Sequence, residues 1–399
     1  MSQRTLSLRS QFLLFLLAIA CMSTATSIHD SIFNNFLSDI FHFEAGARGW
    51  LELPRELPGF LVVVTTGLLA ALPINRVGAI AAATFMLGMI GMATVGRELG
   101  PMVVAMMIAS TGLHLLQPVT TSIAVATGHA KSRGKRIGLT GALETCGVVL
   151  GTGFVWFFFS QTNPQYTLGF TLAAIGGALT TIIYLSIRLQ HMDQPRAKMV
   201  FHKKFSLYYV LEFLFGARKQ IFLTFGPWVL IKIYDQPANS IASLLMIGAL
   251  IGIVFKPLAG MAIDRLGSRN VLIFDALALI FVCLGYGYAL KIAEPKTAKL
   301  IAEICFIGDN LLFALGSARA VYVSHLTESH QELTSTLAMG VSINHIVSML
   351  IPAVAGIVWV TFGYERVFLS AAILSIIVAG VASFIPSHKK MFEEKIKPA

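Results

Sequence analysis

Twelve apolar runs succeed one another along the chain, separated by short polar breaks. A helix needs about 20 mostly apolar residues to cross a bilayer, and each run comes near or exceeds that length. In the first half the predicted spans cover roughly 12–40, 51–72, 78–95, 101–127, 138–160 and 166–188. In the second they cover roughly 206–232, 239–262, 270–290, 298–325, 334–361 and 366–385. Connections as short as Arg97-Glu-Leu-Gly100 force neighbouring helices to run antiparallel. Arg4 and Arg9 before Phe12–Ala20 mimic a signal peptide, but the apolar stretch continues to about Ile40, too long for a removable segment, and reads as an uncleaved first helix.

Charge fixes the orientation. Of the 399 residues, 56% are hydrophobic and only 13% charged, against about 25% charged in soluble domains. With both termini inside, the inner segments collect about 18 Lys and Arg and the outer ones about 7, as the positive-inside rule requires. Lys131, Arg133, Lys135 and Arg136 share one inner loop, and Lys389, Lys390, Lys395 and Lys397 close the chain. The formal net charge of +10 is thereby explained by topology and anionic headgroups, with no nucleic-acid partner needed. The longest inner connection, Leu189 to Lys204, is polar, basic and near the midpoint. The expected organisation is a six-helix bundle at 1–190, a cytoplasmic linker at 191–205, and a second bundle with a cytoplasmic tail at 206–399.

The halves share a motif. Ala71-Leu-Pro-Ile-Asn75-Arg76-Val-Gly78 follows the second span, and Gly260-Met-Ala-Ile-Asp264-Arg265-Leu-Gly267-Ser-Arg269 follows the eighth. The two align without gaps at the same point of each half, which a duplicated six-helix unit explains. Here the chain resembles the major facilitator superfamily, whose signature loop is Gly followed by Asp-Arg-x-Gly-x-Arg or Lys. The second copy matches throughout; the first has Ala71 for Gly, Asn75 for Asp, and lacks the final basic residue. The resemblance implies an all-α membrane protein of twelve transmembrane helices in two pseudo-symmetric six-helix bundles. It also implies a gating role for Asp264, Arg265 and Arg269, and for Arg76 in the weaker copy.

Charged groups inside a bilayer cost about 2.5–3.5 kcal/mol each on insertion scales, so they face a cavity or a partner. On the first span Ser23, Thr26 or Ser27, Asp30 and Asn34 follow one helical face; on the fourth, Ser110, His114, Gln117 and Thr121 do. The seventh carries Glu212, Arg218 and Lys219, and the tenth Glu303, Asp309, Asn310, Ser317 and Arg319. In the resembled family these four helices line the central cavity. Asp30, Asn34, His114, Gln117, Glu212, Arg218, Lys219, Asp309, Asn310 and Arg319 are therefore the candidate substrate residues, each with a bland alternative as an internal pair.

Glu144 shares a face with Gly141, Gly147 and Gly151, which suggests a carboxyl buried against a neighbouring helix and suited to proton coupling or to a structural hydrogen bond. His345, beside Asn344 in the eleventh span, is the other proton candidate. Glu52, Arg55 and Glu56 are spaced for internal salt bridges. Pro118 and Pro352 are expected to kink their helices. The four cysteines lie in apolar runs and read as small apolar side chains, with no metal-ligand or disulfide pattern.

The expected function is secondary transport of a small organic solute by alternating access, proton-coupled, leaning to an anionic or zwitterionic substrate because of Arg218, Lys219 and Arg319. Efflux of amphipathic or cationic compounds is the alternative, although the fifth span lacks the Gly-Pro element of the resembled family's drug antiporters. Metalloprotease, nucleophilic-serine and nucleotide-binding motifs are all absent, which speaks against an enzyme or an ATP-driven pump. No cofactor or metal is expected, and a receptor would lack a signalling domain. The expected setting is a bacterial inner membrane, multi-pass and monomeric, with both termini cytoplasmic.

Overall fold

The computed structural model describes residues 8–69, 71–126, 133–160, 162, 164–188 and 201–387. Within them the regular structure is helical, and nine helices are long and apolar enough to cross a membrane. Three further expected spans escape that count for physical reasons. The second expected span is broken into α3 (Glu52–Phe60) and α4 (Val62–Leu68), preceded by the short α2 (Ala45–Trp50), with Pro58 inside α3 withholding a backbone donor. The seventh, α9 (Ser206–Lys232), is diluted by Glu212, Arg218, Lys219 and Lys232. The eighth and ninth are joined as α10 (Ala238–Ile292), interrupted at Gly267, whose φ of 78° and ψ of 157° only glycine adopts without strain.

Contacts divide the chain into two units. Unit 1 comprises Met1–His42, Pro54–Arg196 and Pro237–Leu250; unit 2 comprises Phe43–Leu53, Ala197–Gln236 and Ile251–Ala399. Each unit thus holds a short piece whose sequence neighbours belong to the other. Among the described residues, the two non-glycine positions with positive φ are His42 (50°) and Asp235 (49°), at the entrances to those two pieces. The expected linker at 191–205 lies largely outside the described residues, as do Lys131 and the basic C-terminal tail.

In unit 1, α1 (Leu8–Phe41) packs on α7 (Arg133–Phe158) and α8 (Tyr166–Ser186), while α5 (Ile74–Thr94) packs on α6 (Leu99–Ala126) and α8. Small residues bring the backbones together: a Cβ on Gly147 would lie 2.6 Å from that of Ser23, and one on Gly112 would lie 2.5 Å from Phe85 N. Large apolar side chains such as Leu13, Phe157 and Leu185 stay exposed, as lipid contact requires.

Asn75 shows why this loop departs from the resembled signature. Its buried Nδ2 donates to the Ile187 carbonyl at 2.7 Å and, more weakly, to that of Tyr184 at 3.4 Å. The Tyr184 carbonyl also accepts from Ile187 N at 3.3 Å, whereas that of Ile187, at the C-cap of α8, is served by the Asn75 amide, a donor that an ionised Asp cannot supply. Gly78 does not repeat Gly267 either. It sits inside α5, where a Cβ would press on the Tyr184 ring at 3.0 Å.

In unit 2, α9 packs on α13 (His330–Phe362), α14 (Tyr364–Ala382), α11 (Pro295–Leu312) and α12 (Ala318–Leu326), and α13 packs on α2. The α2–α13 contact is backbone to backbone: a Cβ on Gly356 would sit 2.6 Å from the Ala45 carbonyl oxygen, and one on Gly49 would overlap the Pro352 carbonyl. The expected tenth span is not continuous. A 3-10 turn at Phe313–Ser317 separates α11 from α12, so the sevenfold stripe Glu303, Asn310, Ser317 ends early; Ser317 Oγ donates to Ala314 O within the turn. Pro118 and Pro352 lie within α6 and α13, which continue through them.

Candidate functional site

Most of the sequence-predicted charges in unit 2 are buried and paired. Arg319 Nε donates to Glu212 Oε1 at 2.8 Å, and its guanidinium lies 3.4 Å from the centroid of Phe215. Arg218 Nη1 donates to Asp275 Oδ2, joining α9 to α10, with the guanidinium flanked by Phe215 and Phe313. Lys219, half-buried, donates to Asn344 Oδ1 at 2.9 Å on α13. Asp309, only 3% exposed, takes part in no ion pair among the described residues, although it feels the charges of both Arg218 and Asp275. Asn310 instead returns its amide to the Phe306 carbonyl of its own helix at 2.8 Å. His345 is buried on α13.

A second chain in unit 2 went unforeseen. Arg48 Nη1 donates to Glu52 Oε1 at 2.5 Å, and Glu52 Oε2 accepts from Gln220 Nε2 at 2.6 Å, with all three side chains buried. Glu52 departs from the expected bridging with Arg55 and Glu56, since its ion-pair partner is Arg48, one helical turn earlier. Asp275 was also missed, though a lone carboxylate inside the apolar stretch 270–290 is the kind of signal that finds such a residue.

Unit 1 carries fewer ionic contacts. Arg55 pairs with Glu56 at 2.8 Å, and the Arg55 carbonyl accepts from Ser110 Oγ at 2.5 Å, tying α3 to α6. His114 is buried; its Nδ1 lies 2.9 Å from the Ser110 carbonyl, which can only accept, so that nitrogen carries the hydrogen. His114 Nε2 lies 4.0 Å from Glu56 Oε2. Asp30 is exposed and bonded to His29 Nδ1 at 2.9 Å, Asn34 is half-buried and Gln117 exposed.

Glu144 requires a correction. Gly147 and Gly151 do press α7 onto α1, but a Cβ on Gly141 would meet nothing within 4 Å and the Glu144 side chain is exposed. The glycine face and the carboxyl diverge around the helix. At the signature loops, Arg76, Asp264 and Arg265 are exposed and Arg269 is half-buried, and no ion pair among the described residues includes them. Outside the spans, Lys204 bonds Glu332 at 2.5 Å and Glu328 at 3.3 Å, and the Glu332 hydrogen bond holds its ammonium above the usual lysine range. The four cysteines are free thiols.

Fold and site together define a polytopic membrane protein that carries charge inside its spanning helices and holds it in pairs. The family model of the Major Facilitator Superfamily matches residues 14–318, and the chain belongs to that superfamily. It is accordingly a secondary transporter and not an enzyme. Among solved structures, the nucleoside transporter NupG is similar at a TM-score of 0.74 and 15% identity, covering 97% of this chain and 100% of that one. A D-xylose-proton symporter gives 0.73 and 14%, covering 96% and 99%. A bacterial homolog to the human lysosomal transporter Spinster, in an inward-facing and unoccupied conformation, gives 0.66 and 13%, covering 98% of each. At such identities the likeness is one of fold. No curated protein matches the chain in sequence.

Proposed function

We propose that the chain moves a small polar organic solute by alternating access, coupled to protons. The observation that carries this reading is the set of ionisable side chains buried within the spans of unit 2, where the Arg218–Asp275 pair and Asp309 gather between helices. Such groups are costly in a bilayer and are retained where charge must move. The substrate candidates are Glu212, Arg218, Lys219, Asp309, Asn310 and Arg319 in unit 2, and Asp30, Asn34, His114 and Gln117 in unit 1.

The lean toward a plain anion weakens, because each cation behind it already has a partner: Asp275 for Arg218, Asn344 for Lys219 and Glu212 for Arg319. A zwitterion keeps its support. Glu144 loses the burial that recommended it for proton coupling, and His345 retains it. The gating role of Arg76, Asp264, Arg265 and Arg269 rests on the family signature. We further infer two six-helix bundles at 1–190 and 206–399 joined by 191–205, acting as a monomer in a bacterial inner membrane with cytoplasmic termini.

The test begins with ligand-induced thermal stabilisation of detergent-solubilised protein across a metabolite library. Each hit then enters a proteoliposome uptake assay with an imposed proton gradient. Uptake should rise with the gradient and collapse with a protonophore; uptake indifferent to both removes proton coupling. Resistance of expressing cells to a toxic-compound panel would instead favour efflux of cationic compounds.

A further inference from the structure

We infer that Lys256, on α10, receives the anionic group of the transported solute, a carboxylate or a phosphate. This inference rests on the transport reading above and names a substrate class for it.

Lys256 lies within the eighth expected span. Among the described residues no hydrogen bond, ion pair or ring contact includes it. It differs in this from Arg218, Lys219 and Arg319, which hold Asp275, Asn344 and Glu212. A charged side chain inside a span is retained where it meets water, a partner or a ligand. For Lys256 the protein supplies no partner among the described residues, so the question is which way the ammonium faces.

Helical spacing answers it. Gly252, Lys256, Ala259 and Ile263 recur at steps of four, three and four and share one face of α10. The other three members of that stripe are buried, and Lys256 alone of the four is exposed. The lipid face lies on the opposite side of the helix, where Val254, Leu258 and Met261 are exposed. Lys256 therefore points away from hydrocarbon, into a gap in a face that is otherwise packed.

Its depth excludes a headgroup contact. A Cβ on Gly252 would lie 3.7 Å from Lys256 Cε and 3.8 Å from Leu311 Cδ2. The stem thus runs back one turn along α10, beside α11, and leaves the nearer end of the span behind it. Its tip stands level with Gly252, roughly 18 Å along the helix from Asp264. A lysine that snorkels to headgroups would extend toward that nearer end instead. Leu311 adjoins Asn310, already a substrate candidate on α11. An ammonium carries several donors and no fixed geometry, so it accepts the oxygens of a carboxylate or a phosphate alike. Binding there breaks no internal ion pair.

The test begins with full-length wild-type protein in nanodiscs. The acetyl ester of sulfo-N-hydroxysuccinimide, an amine reagent confined to water, should acetylate Lys256, as read by mass spectrometry of the digest. A Lys256 that stays unmodified while the exposed Lys291 reacts faces hydrocarbon and overturns the inference. Carboxylates and phosphates of a metabolite library are then compared with their neutral amides and dephosphorylated forms. Acids that raise Tm should slow acetylation of Lys256, and their neutral counterparts should not. Lys256→Arg should keep that stabilisation, whereas Lys256→Met should need roughly 10–100-fold more of the same acid. Equal stabilisation of Lys256→Met, slowing by a neutral counterpart, or a library in which no acid slows acetylation each overturns it. Lys256→Gln replaces the methionine variant if that one fails size exclusion, and the wild-type reactivity needs no variant at all. Gradient-driven uptake of a neutral solute would uphold transport while removing Lys256 from it, so the two readings fail separately.

Discussion

Restoring the superfamily's acid at position 75 should damage this protein. Asn75 is 7% exposed and its amide supplies the donor for the Ile187 carbonyl at the end of α8. Asn75→Asp preserves size while replacing that donor with an acceptor. The lost bond leaves a buried carbonyl unsatisfied, at about 1–3 kcal/mol. Negative charge against the carboxyl end of a helix adds about 0.3–1 kcal/mol of repulsion. Together these give about 1–4 kcal/mol, or a fall in Tm of roughly 3–16 °C for a unit of this size. Asn75→Ala removes the bond without the repulsion and should fall between wild type and the acid. The assay is thermal unfolding in detergent followed by intrinsic fluorescence, with size-exclusion recovery as a second measure. An acid variant as stable as wild type, or more stable than the alanine variant, would refute the capping role and restore the signature reading of the loop.

Further outcomes follow from the same geometry. Gly267→Ala should cost about 1–3 kcal/mol, because its backbone lies in a region closed to side chains; an unchanged melting curve would show that the helix break can move elsewhere. Glu52→Ala strands Arg48 in a buried position and should cost about 3–5 kcal/mol, whereas the double change Arg48→Leu with Glu52→Leu should recover most of it. Additive losses in that cycle would mean the pair is not coupled. Lys204→Met should change stability by the same small amount at every pH through the neutral range. Its folded pKa lies above the unfolded one, so the contribution is complete below the ordinary lysine range and is lost only as pH rises through the higher folded value. A difference that varies near neutrality would assign the effect to another group.

Helical, polytopic character and superfamily were legible in the sequence because a bilayer imposes length and polarity on every pass. Placement within the spans was less so. Arg218, Glu212, Asp309 and Arg319 could be recognised as intramembrane charges, but which carboxylate each arginine takes depends on the rotation of α9 against α10 and α12, which no local pattern encodes. Asp275 lies outside the four helices that the family resemblance marks as cavity-lining, so that resemblance does not point to it. Glu144 failed for a related reason: glycines three residues apart predict close packing of a helix, but a side chain only a few residues away can already turn out of that interface. The gap-free alignment of the two signature loops concealed unlike roles, since Gly267 breaks a helix while Gly78 receives an aromatic ring.

The pieces Phe43–Leu53 and Pro237–Leu250, each entered beside a left-handed non-glycine residue, bear on how the molecule can be divided. A gene cut at the midpoint would yield two polypeptides, each deprived of a part belonging to its own contact unit and burdened with one belonging to the other. Arg48, through Glu52, completes a buried network with Gln220, translated long after it. The piece Phe43–Leu53 therefore waits, unpartnered by its own unit, until α9 has been made.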